Sequence, residues 1–552
     1  MKTKLRKAAI VLGVLLVAFV VLMWVAHLRS KGPVEAYKEQ LRAAGEKLTI
    51  DELIPPHVPP EQNSVEIFRQ AVGPLRAWPS FLDTNPPPAM RMVAPGKAAI
   101  GWTLPDIRSG DVTNMWEDAD VDLGLRYESL KLLQEIIEHP VINFEFDYHL
   151  GPNLPLQDIV QMRRASQLLS AATVHGLHRG DLALAVTNAR AMLALVKSSE
   201  NEPLLISQLV RISIAQSALT AHWEVLQSPG VTDEQLATMQ RDWSELEFIR
   251  AAEKALAMER ASTEMIAERL RNSAGPSSTL DSYYGGSSSS SGSSGNWFDD
   301  LPELPEKIWR GTKRTTRETF WRVSWSYTDE LRALKGEQLL LDAVRQVKTN
   351  GFFADALQEQ KRKLVALGFD NLPGSPGFLT DPGEIDLRSV LSELMSSSAA
   401  FLNRVLTMET AKQMAITAIA LKRYQLINGN YPASLAALVP QFLPAVPRDP
   451  ADGNPLRYQQ TGKTFLLYSI GDNFVDDGGD PTPANSLPSF AWQRGRDWVW
   501  PQPPSLQDLQ DYYKTNAVSL LWSHKKILEQ TIEQMTRMLE SAQTNSSSGP
   551  EK

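Results

Sequence analysis

The chain has 552 residues, a formal net charge of −8, 43% hydrophobic residues and 22% charged ones. It is long enough for several cores, ordinary in composition for a folded protein, and lacks the basic surplus of a nucleic-acid binder. It contains no cysteine, which excludes disulfides, thiolate zinc sites, a cysteine nucleophile and a lipid-modified cysteine.

The first element follows Lys2, Lys4, Arg6 and Lys7, where Ala8 to Ala26 carries no charge. At about 1.5 Å of rise per residue this run spans a bilayer core. The basic residues before it hold that side in the cytoplasm and send the body outward. The expectation is a single-pass bacterial inner-membrane protein with its body in the periplasm. The rival is a cleaved signal peptide, although Trp24 and His27 make a poor processing site.

After this anchor (1–29), residues 30–150 read as proline-rich and partly extended, with "IPPHVPPEQN" at 54–63 and a further cluster at Pro86–Pro88. "VINFEFDYHL" (141–150) alternates as a strand does. Residues 151–274 read as helical hairpins. Gly180 ends one helix and Asp181 caps the next, while Pro203 and "SPGVTDEQ" (228–235) mark further junctions. Alanines 171, 172, 183, 185 and 189 suit close helix packing. This region resembles tetratricopeptide-type repeats over roughly 160–245, without the aromatic and proline positions of that pattern. Alanine-rich hairpins with no repeat ancestry are the alternative.

Residues 275–296 form a Gly/Ser-rich linker. Helical patterning resumes over 297–400, where Trp321 and Trp325 lie four apart beside Trp309 and Phe320; such a stripe belongs to a core. In 401–502, Val405, Met408, Ala411, Ala415, Ala418, Leu421 and Tyr424 give one apolar helix face. Gly429 and Pro432 end that helix. A short helical turn at "ASLAALVP", a hairpin turning at Thr461–Gly462 and a last strand at Arg496–Trp500 follow. A polar helix from about Leu506 and a disordered tail make up 503–552. The fold class is thus mainly α, with a small α+β module near the C-terminus.

"RYQLINGNYP", "PRDPADGNPLRY" and "FLLYSIGDN", with "DDGGD" after it, resemble the globular part of the type II secretion major pseudopilins over about 404–500. The resemblance implies a long helix, an antiparallel sheet and a calcium ion in the loop before the last strand. The chain departs from that family in having no prepilin peptidase site and an anchor hundreds of residues from the module. An assembling pilus subunit is therefore not expected.

Ile470 to Asp480 places Asp472, Asp476, Asp477 and Asp480 among three glycines. Calcium takes about six to eight oxygens, and Asn473, Asp476, Asp477, Asp480 and Asp472 are the candidate ligands. Aligned on "YSIG", the family's aspartate falls on Asn473 and its glycine on Phe474. The EF-hand spacing is not met, and a solvated turn is the plainer reading. His175 and His178 have metal-like spacing, but read more simply as two helix histidines beside a capping aspartate. No hydrolase, nucleotide or dinucleotide motif appears.

The sequence therefore points to a non-enzymatic anchored envelope protein with a calcium-stabilised pseudopilin-like module, acting through protein–protein interaction with other envelope proteins beside a secretion machine. A helical-repeat peptide-binding scaffold is the second reading, and an unrecognised hydrolase the third.

Overall fold

The computed structural model describes residues 2–76, 87, 89–109, 112–272, 320–369, 391, 395–483 and 492–514. The Gly/Ser-rich linker, Trp309 and most of the C-terminal segment lie outside the described residues. Of that last segment, Leu506 to Lys514 is helical, as expected.

Helix α1 (Lys2–Ala43) is continuous for 42 residues and changes character along its length. Val11, Val14, Leu15, Val21, Trp24 and Leu28 are exposed, whereas Val34, Lys38 and Leu41 are buried. The buried end docks through charge: Lys38 Nζ lies 3.0 Å from Glu264 and 2.7 Å from Glu330. Among the described residues no helix is long and apolar enough to cross a membrane. The stretch from Ala8 to Ala26 lies inside α1, and its side chains are described only in part.

The 30–150 region is more regular than its prolines suggest. It holds α2 (Val65–Val72), the hairpin β1 (Arg91–Ala94) and β2 (Lys97–Ala99), and a second hairpin, β3 (Ile107–Ser109) and β4 (Val112–Asn114). Helices α3 (Trp116–Leu125) and α4 (Tyr127–Glu135) follow. Residues 141–147 are not the expected strand. Ile142, Phe144 and Tyr148 are buried in alternation, but the backbone bonds go elsewhere. Ser64 N–H donates to Val141 O and Ile142 N–H to Ser198 O, and Asn63 Oδ1 accepts from Asn143 N–H. The alternation reports one buried face of an extended chain, not a neighbouring strand.

Five helices then follow: α5 (Gln157–His178), α6 (Leu182–Ser198), α7 (Leu205–Leu226), α8 (Asp233–Ser244) and α9 (Phe248–Asn272), with α5, α6 and α7 packed on one another, α8 on α6 and α9 on α7. The expected punctuation is in place. Gly180 has φ +77°, Asp181 caps α6 by accepting the Leu184 N–H, and Thr232 with Gln235 forms a capping box. Ala171, Ala172, Ala185 and Ala189 are buried, while Ala183 is exposed. Helices α10 (Ser326–Asn350) and α11 (Ala354–Ala366) follow, with α10 packed on α1 and α9. Trp321 is core, as expected: it packs on Ile266, Ala267 and Leu270, and Trp325 lies against that cluster.

Helix α12 (Met395–Asn428) departs furthest from the sequence reading. Its expected stripe is buried from Val405 to Leu421, but so are Leu402, Leu406, Met414, Ile419 and Ala420. One side meets the C-terminal sheet and the rest meets α7, α8, α9 and α10. Much of α12 is therefore interior, although Asn403 and Arg404 stay exposed. It covers the surface of α7–α9 that a repeat solenoid would leave open.

The sheet has order β5 (Arg457–Thr461), β6 (Thr464–Ser469), β7 (Trp498–Val499), all antiparallel. Thr461 pairs with Thr464, so the turn is Gly462–Lys463, one residue later than expected. The module does not stand apart, because one buried cluster runs from Val65 to Trp500. Polar ties cross the same boundary. Trp223 Nε1 donates to Pro501 O at 2.9 Å, Gln240 to Phe442 O at 2.7 Å, and Ala98 and Gln502 pair across chain ends.

Candidate functional site

The aspartate-rich loop leaves β6 and returns to β7. Gly471 opens it with φ +68°, and a Cβ there would lie 2.8 Å from the Trp498 indole nitrogen. Only glycine fits this turn. Phe474, at the position where the resemblance puts a glycine, has φ +57°. A bulky residue in that region carries backbone strain of about 1–2 kcal/mol.

The five expected ligands are not brought together on one centre. Asp472 is exposed. Asn473 donates to Asp477 at 3.0 Å. Asp476 accepts from the Gly478 N–H at 3.0 Å, the Tyr468 hydroxyl at 3.1 Å and Arg457 at 3.3 Å. The Gly478 N–H, then Tyr468 and Arg457, hold its carboxyl below the usual range against a small burial effect. Asp480 accepts from the Thr482 N–H at 3.0 Å and lies 3.6 Å from Arg496. Among the described residues no group of three or more His, Asp or Glu side chains is placed to hold a metal ion. The Asp476 and Asp480 oxygens face N–H groups, a phenol and two guanidinium groups.

Two acids outside the expected set organise the loop. Asp497 is fully buried and accepts the N–H groups of Asp477 (3.4 Å), Gly479 (2.6 Å) and Asp480 (3.3 Å). Burial raises its carboxyl, and those three N–H groups oppose the rise. Asp449, also fully buried, accepts from Ala451 N–H, Ser469 Oγ, Ile470 N–H and Arg457. Arg457 further reaches Asp452 at 2.7 Å, so one guanidinium bridges three carboxylates. Charge pairing of this kind raises the Arg457 pKa and neutralises the loop from within. In the sequence, Asp497 stands directly before the apolar Trp498–Trp500, whereas Asp449 lies in a run dense in turn residues that gave no hint of its burial.

The two histidines have separate structural partners. His175 Nε2 lies 3.3 Å from Asp120, with burial lowering its pKa. His178 stacks on Trp116, ring centroids 4.0 Å apart, and its Nδ1 is 2.9 Å from Trp102 O.

No protein-family model, curated protein or solved structure matches the chain.

Proposed function

We propose that the chain is a non-enzymatic envelope protein held at the bacterial inner membrane by α1, with its body on the outer side, where it binds other components of the envelope. One observation carries this reading. Val11, Val14, Leu15, Val21, Trp24 and Leu28 of α1 are each more than half exposed, while Val34, Lys38 and Leu41 on one face further along the same helix are buried. Burying one such side chain is worth roughly 1.5–3 kcal/mol, so six together favour an apolar surround. Lys2, Lys4, Arg6 and Lys7 precede them and favour the cytoplasmic side.

The element order α12, β5, β6, loop, β7 supports the likeness to pseudopilins and with it a role beside a secretion machine. The enclosure of α12 favours a fixed part of one chain over an assembling subunit. Protease added to intact spheroplasts should digest the body. Full protection, or a mature protein beginning after residue 27, would overturn the reading.

A further inference from the structure

The junction between α6 and α7 borders a cavity of about 360 Å³, within the range of small-ligand sites. One wall is apolar, built from Leu53, Ile54, Pro55, Pro56 and Val58. Val141, Ile142 and Pro203 face it from the extended segment and the α6–α7 turn. Glu202 also lines the cavity, and it is 95% buried, being 5% exposed. Its Oε2 accepts the Tyr148 hydroxyl at 3.1 Å, but its Oε1 has no hydrogen-bond partner.

A buried carboxylate oxygen left unmatched is costly. Burial is the main influence on Glu202, opposed only by Tyr148 and the Leu204 N–H, and it pushes the carboxyl up to about 7. The lining also includes Lys47 and Lys254, both exposed. Lys254 Nζ donates to Asn201 Oδ1 at 2.7 Å. The buried charge is thus negative and the wall beside it aliphatic; the rim carries Lys47, Lys254 and the exposed Glu52, whose Oε2 is already taken by the Leu48 and Thr49 N–H groups.

We propose that this cavity binds an aliphatic α-amino acid, its ammonium group on Glu202 Oε1 and its carboxylate toward Lys254 and Lys47. The ammonium supplies the donor that Oε1 lacks, and the side chain lies against Pro55, Pro56 and Val58. The amino-terminal residue of a peptide offers the same ammonium and side chain with a carbonyl in place of the carboxylate. This site is independent of the membrane reading.

The test is calorimetric titration of the full chain with L-leucine, L-leucinamide and N-acetyl-L-leucine. Leucine should bind, and N-acetyl-leucine, which lacks the ammonium, should not. Leucinamide binding weaker than leucine, with Lys254→Ala removing the difference, identifies a free amino acid; equal binding identifies a peptide amino terminus. Glu202→Gln keeps the shape and should weaken leucine or leucinamide by roughly ten- to hundredfold, the effect of one charge-assisted hydrogen bond. Ile54→Trp, at a side chain 43% exposed, should block the cavity without touching Glu202. Binding of N-acetyl-leucine equal to leucine would overturn the proposal. So would no heat from leucine and leucinamide at millimolar concentration, or full affinity in Glu202→Gln.

Discussion

Asp497→Asn separates a loop held by protein groups from one held by a metal. The carboxylate takes three backbone N–H groups, with the Gly479 contact shortest at 2.6 Å. Asparagine keeps one acceptor oxygen and turns an NH₂ toward N–H donors. A hydrogen bond to a charged group is worth about 1.5–3 kcal/mol, and an unmatched buried donor costs about 1–3 kcal/mol. A loss of about 2–4 kcal/mol is therefore expected for the full chain. Asp477→Ala with Asp480→Ala removes only peripheral charges and should cost under about 1 kcal/mol. Urea unfolding followed by tryptophan fluorescence reads both, because Trp498 and Trp500 are buried beside Asp497. Calcium should leave the Asp497→Asn and wild-type midpoints unchanged. A wild-type midpoint raised by calcium and insensitive to Asp497→Asn would refute the reasoning.

Leu421 is fully buried within the continuous core, so Leu421→Asp should unfold the helical body together with the sheet. Limited proteolysis that removes only residues after 395 would contradict this. Glu337, 1% exposed, is pushed up to about 8, first by burial and then by Glu259, against Thr263 and Arg260. The folded chain then holds an extra proton between the ordinary carboxylate pKa and about 8, so stability falls as pH rises through that window. Glu337→Gln should remove up to about 4 kcal/mol of that fall, measured as urea midpoints from pH 5 to 9. Trp223→Phe deletes the bond to Pro501 O and should cost about 1 kcal/mol, read from the same unfolding curves.

Local rules carried much of the fold. Gly180, Asp181, Thr232 and Gly429 mark helix ends because cap chemistry acts within a few residues. What stayed hidden depends on long-range contact. The alternation of 141–148 is identical for a strand and for an extended chain pinned by Ser64, Asn63 and Ser198. The α12 stripe hid a second buried side, since the apolar residues between its members read as background until α7–α10 were placed. For the sites, Asp472 to Asp480 drew notice by density, yet Asp449 and Asp497 organise the loop from positions with ordinary spacing. Glu202 is one of 64 acids, and only burial distinguishes it.

The absence of cysteine from the chain makes the membrane reading directly measurable. Single cysteines at Thr3 and at Leu125, a body residue 83% exposed, can be probed with an impermeant maleimide on intact spheroplasts. With α1 as the anchor, Leu125→Cys labels in intact spheroplasts and Thr3→Cys labels only after lysis. Labelling of Thr3→Cys before lysis, or protection of Leu125→Cys until lysis, would contradict an anchored body facing outward.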